Sequence, residues 1–257
     1  MMHYTVYGGP EGADTVILSS GLGGSGTYWA PQMDALTGRY RVITYDHRGC
    51  GKTGGEVPDS TTISDMADDL AMVLDASETP RAHVVGHALG ALIGMELALS
   101  APDRVSSILA INAWAKTSDH SRRCFEARLR LLDISVEAFV RAQPLFLYPG
   151  NWMEEHADRM AAEDAHHIAH FQGAENVRRR IAALSAFDIT DRLHALTCPV
   201  LALATKDDLL VPYSRSETLI QSLPKGSLHM MDHGAHAVNI TQPDAFNIEM
   251  MRFLEGL

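Results

Sequence analysis

The chain reads as an α/β protein, with a mostly parallel twisted sheet, helices on both faces and a helical lid insertion. Three observations predict that class. Short apolar, β-branched runs alternate with segments of helical periodicity through the first part of the sequence, as strand–helix–strand units in a parallel sheet require. The strand pattern stops between about Trp114 and Asp188, then resumes in two further strands and a last amphipathic helix. No internal repeat or low-complexity tract competes with this reading.

The elements follow in order. Thr15-Val16-Ile17-Leu18 reads as a strand ending at Ser19-Ser20-Gly21, and Arg41-Val42-Ile43-Thr44-Tyr45 as another ending at the turn Asp46-His47-Arg48-Gly49. Ile63, Met66, Leu70, Val73 and Leu74 recur at helical spacing behind Thr62, a capping residue. Ala82-His83-Val84-Val85 is a short buried strand, followed by a helix over about Leu89 to Leu99; Ser107-Ile108-Leu109-Ala110-Ile111 is the next strand. Residues 114–188 hold Arg- and Ala-rich helical segments broken at Pro144, Pro149, Gly150 and Gly173. An insertion of that length is enough for a lid, which predicts a core of residues 1–113 and 189–257 around a lid of residues 114–188. Strands at Val200 to Ala204 and Ser227 to Met231 precede a final helix with Phe246, Met250, Phe253 and Leu257 on one face.

Composition narrows the function. With 257 residues, 46% of them hydrophobic and 21% charged, the chain can bury a sizeable core and is not disordered. A net charge of −11 argues against nucleic-acid binding. No apolar run reaches the roughly 20 residues of a membrane helix. Met1-Met2-His3-Tyr4 has neither a charged nor an apolar leader segment, so a cytoplasmic protein is expected. Cys50, Cys124 and Cys198 are too scattered for a disulfide framework or a zinc ribbon. No dinucleotide fingerprint or P-loop is present, so no cofactor is expected and the partner is a small-molecule substrate.

Gly86-His87-Ala88-Leu89-Gly90 follows a strand and opens a helix, the setting of the G-x-S-x-G nucleophile elbow. Ser20-Gly21-Leu22-Gly23-Gly24 follows an earlier strand, and its Leu22 N–H paired with that of Leu89 would make an oxyanion hole. Lys206-Asp207-Asp208-Leu209-Leu210-Val211-Pro212 offers a carboxylate after a strand. Asp208 is the candidate acid, and Asp207 reads as its solvated neighbour. Gly234-Ala235-His236 follows the last strand and singles out His236 among thirteen histidines. The order elbow, acid, His is that of the α/β-hydrolases. His87, inside the elbow, reads as a packing residue. Glu163, His166, His167 and His170 have the spacing of metal ligands on one helix face, but no second cluster supports them; a solvated face, and no metal, is expected. Arg178-Arg179-Arg180 likewise reads as solvated.

Position 88 holds Ala, which has no nucleophilic atom. Ser25, Thr27 and Cys50 lie in loops near the site without a context that would activate them. Either the chain is a disabled enzyme, or its chemistry needs no covalent step.

The run Gly86-His87-Ala88-Leu89-Gly90-Ala91-Leu92 resembles the pyrimidine-utilisation D family of α/β-hydrolases, RutD, whose elbow carries alanine in the same way. The likeness extends through Ser20 to Gly26, Tyr28-Trp29, Arg122-Arg123-Cys124-Phe125, Gln143 to Pro149 and Ala169 to Gly173. It resumes at Asp207 to Pro212 and Gly234-Ala235-His236. His233-Gly234-Ala235-His236 departs from a familiar Gly-Gly-His form. The resemblance implies a role in uracil degradation by the Rut route, hydrolysing a very small intermediate given either as 3-aminoacrylate or as carbamate. His236, oriented by Asp208, would then activate a water standing where a serine side chain would be. Arg122 or Arg123 would hold a substrate carboxylate, with a surface ion pair as their alternative role, and Trp114 and Tyr148 would line the pocket. Phe146, Tyr148 and Trp152 would line either that pocket or a homodimer contact. Two other readings stay open: a serine esterase or amidase inactivated by Ser-to-Ala replacement at position 88, and a non-enzymatic module that binds a small ligand.

Overall fold

The computed structural model describes residues 2–257. Seven strands, β1 (Tyr4–Tyr7), β2 (Thr15–Ser19), β3 (Arg41–Tyr45), β4 (Ala82–His87), β5 (Val105–Ile111), β6 (Val200–Thr205) and β7 (Gly226–Met231), form one sheet in the order β1-β3-β2-β4-β5-β6-β7. All neighbours are parallel except β1, which pairs antiparallel with β3. Helices α1 (Met33–Thr37), α2 (Ile63–Ala76) and α3 (Leu89–Ser100) belong to the first half. Five helices, α4 (Asp119–Ile134), α5 (Val136–Leu147), α6 (Gly150–Glu155), α7 (Ala157–Ala169) and α8 (Ala174–Ala186), are inserted between β5 and β6. The chain closes with α9 (Ser214–Gln221), α10 (Val238–Thr241) and α11 (Pro243–Glu255). Among the described residues no helix is long and apolar enough to cross a membrane.

The continuous apolar strands are explained by burial on both faces. Ile17, Ile43, Val84 and Ile108 pack with α2 and α3, whereas Val16, Leu18, Val42, Val85 and Leu109 pack with α11 on the other face. The Thr62 cap forms as a reciprocal capping box with Asp65, satisfying the first free N–H groups of α2.

Three expectations are corrected. The edge strand β1 was not anticipated, because its outward residues carry no apolar alternation and its pairing partner lies almost forty residues away. Pro144 does not break the insertion but sits within α5; the chain interrupts instead at Pro149 and in the loop after α7, where Gly173, with φ +93°, precedes the start of α8. The apolar stripe of α11 is Phe246, Met250 and Leu254, at strict i, i+4, i+8 spacing. Phe253 is only partly buried, and Leu257 is exposed beyond the helix end.

The chain leaves β2 for β3 on one side and returns to β4 on the other, so the loops after β2 and β4 diverge at a topological switch point. In open α/β sheets that is where ligands bind. The two loops are pressed together: a Cβ at Gly90 would stand 1.9 Å from the Ser19 carbonyl oxygen, so only glycine lets α3 start there. Gly90→Ala is expected to destabilise the protein by about 3 kcal/mol, since backbone would have to move on both loops. Urea unfolding checks this, and a midpoint equal to that of the wild type would show the contact to be soft.

Candidate active site

Four loops at the carboxyl ends of the strands build the site. After β4, Ala88 has φ 46° and ψ −110°, a backbone conformation that L-residues avoid. Its N–H donates to the Ile111 carbonyl at 2.9 Å, and its own carbonyl accepts from Ala91 at 2.9 Å and Leu92 at 3.2 Å. The Ala88 side chain is buried and ends in a methyl group.

After β2, Gly24 N–H donates to the Gly21 carbonyl at 3.0 Å, closing a turn with Leu22 at its centre. Ser19 pairs with Gly86 across β2 and β4, which brings Leu22 and Leu89 to the same end of adjacent strands. Among the described residues neither Leu22 nor Leu89 N–H has a backbone acceptor.

After β6 and β7, Asp208 and His236 meet: His236 Nδ1 lies 2.7 Å from Asp208 Oδ2, with both side chains shielded from solvent. Asp208 Oδ1 also accepts from the Leu210 and Val211 N–H groups at 2.7 and 2.9 Å. The carboxylate is thus fixed by two backbone donors, and it in turn fixes the imidazole with Nε2 turned away. A charged acid serves this arrangement well, because it holds one tautomer and one ring orientation.

Several supporting residues were not legible beforehand. Asp207 is not merely a solvated neighbour: its two oxygens accept from Gly234 N–H at 3.1 Å and Ala235 N–H at 2.8 Å. It thereby anchors the turn, with φ +130° at Gly234 and +54° at Ala235, that delivers His236. Asn112 donates to the His236 carbonyl at 2.8 Å and accepts from Thr205 N–H at 3.2 Å, tying the histidine loop to β5 and β6. Paired carboxylates after a strand were the only sequence signal for Asp207; nothing marked Asn112.

His87 stays in the wall beneath the elbow. Its Nε2 lies 2.9 Å from the His236 carbonyl, and its ring stacks on Tyr28 with 5.2 Å between centroids. Burial first, and the neighbouring His236 second, hold its pKa well below the usual histidine value, so it is neutral and Nε2 carries the proton. Burial likewise depresses His47, with Arg180 adding to the effect. The unfolded chain protonates both rings below about pH 6.5 while the folded chain resists. Stability is therefore expected to be full above that pH and to fall as pH drops, read as a lower urea midpoint at pH 5.5 than at 7.5; equal midpoints would contradict it.

The remaining candidates are placed as follows. Trp114 is buried in the apolar cluster that contains Ala88, and its indole N–H donates to Thr117 Oγ1 at 3.0 Å. Tyr148 packs on Trp152 at 4.8 Å between ring centroids, beside Ala237 and Ile240 just past His236, and Ala237 N–H donates to the Leu147 carbonyl at 3.0 Å. The inserted helices thus grip the histidine loop directly, and Phe146, Tyr148 and Trp152 pack within the chain. Arg122 and Arg123 are not brought to the site. Both face solvent on α4, and Arg122 pairs with Asp119 at 3.3 Å one turn back, because the inward stripe of that helix is Ser121, Cys124, Phe125 and Arg128. Arg180 departs from the solvated reading of its triplet: Arg178 and Arg179 make surface pairs, but Arg180 is fully buried. Its terminal nitrogens meet Cys50 Sγ, Gln172 Oε1, the Gly21 carbonyl and His47 Nδ1. Ser25 bonds Thr27 and caps the turn after it. His166 and His167 are exposed on α7 and His170 just past its end, and Glu163 pairs with Arg159 at 2.7 Å.

The family model for the alpha/beta hydrolase fold matches residues 14–143. The chain is 55% identical to the RutD protein of Agrobacterium fabrum, over 98% of both chains, and 48% identical to that of Caulobacter vibrioides, over 99% of this chain and 96% of the other. Among solved structures, the enol-lactonase of Burkholderia xenovorans LB400 superimposes with a TM-score of 0.89 at 25% identity, covering 99% and 96% of the two chains. A thermophilic esterase of Thermogutta terrifontis shares the fold at a TM-score of 0.85 and 21% identity, over 99% and 93%. An elbow, a helical insertion and an acid–histidine pair, in that order along a chain that matches such relatives over nearly its whole length, make this chain a member of the RutD family of α/β-hydrolases.

Proposed function

We propose that the protein hydrolyses a very small nitrogen-bearing intermediate of uracil degradation, 3-aminoacrylate or carbamate, with water activated by His236 and Asp208 and without a serine nucleophile. The observation that carries this reading is Ala88 held in a strained elbow beside an intact Asp208–His236 pair. A backbone outlier of this kind costs about 1–3 kcal/mol, and here it is retained although no nucleophile needs presenting. What the strained turn still presents is the free N–H of Leu89, and the methyl of Ala88 leaves standing room for water.

His236 Nε2 takes a proton from that water as its oxygen bonds to the electrophilic carbon, then returns a proton to the departing nitrogen, which leaves as ammonia. With carbamate the product is bicarbonate, and the Leu22 and Leu89 N–H groups receive the developing oxyanion. With 3-aminoacrylate the electrophile is its imine tautomer, and the product is the corresponding aldehyde. Carbamate is the substrate in the relatives' names; the family resemblance supports either. Under the same reading residues 114–188 act as a lid over the site, excluding bulk water. The test is ammonia release from freshly generated 3-aminoacrylate and, separately, from carbamate, compared with the blank and with His236→Ala. Acceleration confined to the wild type is expected, and no acceleration over the blank for either compound would overturn the proposal.

A further inference from the structure

Two arginines of the inserted helices are buried without a carboxylate partner, and they differ in what their N–H groups do. A guanidinium has five N–H donors. The four terminal N–H groups of Arg180 are matched by neutral acceptors on the loops after β2 and β3 and before α8, leaving only its Nε without a partner, so it acts as an internal clamp. Arg128, 5% exposed, makes a single hydrogen bond, from one terminal nitrogen to Gln143 Oε1, and its Nε is buried with no acceptor. Its guanidinium carbon lies 5.8 Å from the ring centres of both Phe139 and Phe146, which hold it in place without neutralising it. Burial lowers its pKa to about 10, leaving it a cation at neutral pH.

An unpaired cation in an apolar interior is costly unless an anion completes it. The position of Arg128 says where such an anion would sit. On the same stripe of α4, Ser121 Oγ donates to the Leu210 carbonyl at 3.0 Å, and Cys124 lies against the Leu209 carbonyl, in the loop that carries Asp208. Arg128 follows Cys124 by one turn on the same buried stripe of α4, the stripe whose Ser121 and Cys124 meet the loop of Asp208.

We propose that Arg128 is the carboxylate-binding residue of this site, and that the substrate carries a carboxylate separate from the carbon attacked by water. This rests on the hydrolytic reading above and sharpens it. In a carbamate the carboxylate is itself the reacting group, so an anchor one helical turn beyond the α4 contacts with the Asp208 loop would draw it away from His236. In a three-carbon β-amino acid with an unsaturated Cα–Cβ bond, the carboxylate and the electrophilic carbon are two bonds apart, and both ends can be served together. Arg128 does for the anionic end what Arg122 and Arg123, out in solvent, do not.

Propionate and propionamide are the probes, alike in size and differing in charge, with binding followed by calorimetry. The wild type is expected to take propionate at least 10-fold more tightly than propionamide, as a charge-assisted pair requires. Arg128→Met, which keeps a long apolar side chain between the two rings, is expected to bind both alike and to melt no lower than the wild type. Arg128→Lys should recover part of the preference, and Arg122→Ala and Arg123→Ala should retain all of it. Equal binding of the two probes by the wild type, a preference that survives Arg128→Met, or an Arg128→Met protein that melts well below the wild type would each overturn the proposal. Hydrolysis by the wild type, read beside its binding of the two probes, separates the two claims. A propionate preference without any hydrolysis would sink the catalytic reading and leave Arg128 as an anion site, while hydrolysis without a preference would do the reverse.

Discussion

Replacing His236 by Ala is expected to lower kcat/KM for the small substrate by about 10²- to 10⁴-fold, the range that a positioned general base supplies. The size of the loss follows from what the site contains. There is no nucleophile at position 88, so no covalent intermediate is lost along with the base, and the drop stays below the roughly 10⁶-fold collapse of a serine enzyme stripped of its triad. What survives in the variant is the pair of N–H groups at Leu22 and Leu89 together with substrate binding. The ring is replaced without disturbing the loop, because the hydrogen bonds that hold residue 236 run to its backbone carbonyl, from Asn112 Nδ2 and from His87. The fold is retained, with a lower melting temperature because the buried Asp208 carboxylate keeps its two backbone donors but loses the imidazole. Asp208→Asn should follow the same direction, since an amide can present an N–H to His236 Nδ1 and so favour the wrong tautomer. Initial rates of ammonia release measure both. A His236→Ala protein as fast as the wild type would eliminate water activation by this residue.

Much of this site could be read from the chain, for a physical reason. The elbow, the Leu22 loop and the Asp208 and His236 loops each hang on a short apolar strand, and strand ends are marked by glycine and by the switch from β-branched runs to polar turns. What sequence could not supply was direction. Arg122, Arg123 and Arg128 are all arginines of one helix, and only the registration of Ser121 and Cys124 against the loop after Asp208 decides that Arg128 turns inward. Asp207 and Asp208 are neighbours of the same type. One faces the imidazole and the other the backbone of residues 234 and 235, a distinction made by the turn that the chain takes after β6. Arg180 was misread because a run of three arginines averages to a polar face, although the helix turns each one in a different direction. Those long-range choices belong to packing, to which local pattern is blind.

Ala88→Ser is expected to convert the site toward covalent chemistry. The strained backbone that presents a nucleophile is already in place at φ 46° and ψ −110°, so the substitution adds one oxygen to an existing Cβ and needs no rearrangement of the turn. Beside it stand a histidine whose Nδ1 is fixed by a carboxylate and two unpaired N–H groups, the partners that make a serine hydroxyl reactive. Intact-mass measurement should show a single fluorophosphonate adduct at residue 88 in the variant and none in the wild type, with p-nitrophenyl acetate turnover rising by about 10²- to 10³-fold. The water route should slow at the same time, because the new hydroxyl occupies the space from which water attacks and competes for His236 Nε2. The paired outcome is what discriminates. Gain of ester turnover with no ammonia release from the wild type would mark the protein as a serine hydrolase lacking its nucleophile. Gain of one activity at the expense of the other would mark a site in which the alanine methyl is part of the mechanism. Absence of labelling would mean that the elbow keeps its shape without keeping the alignment between residue 88 and His236, and the water placed between them would go with it.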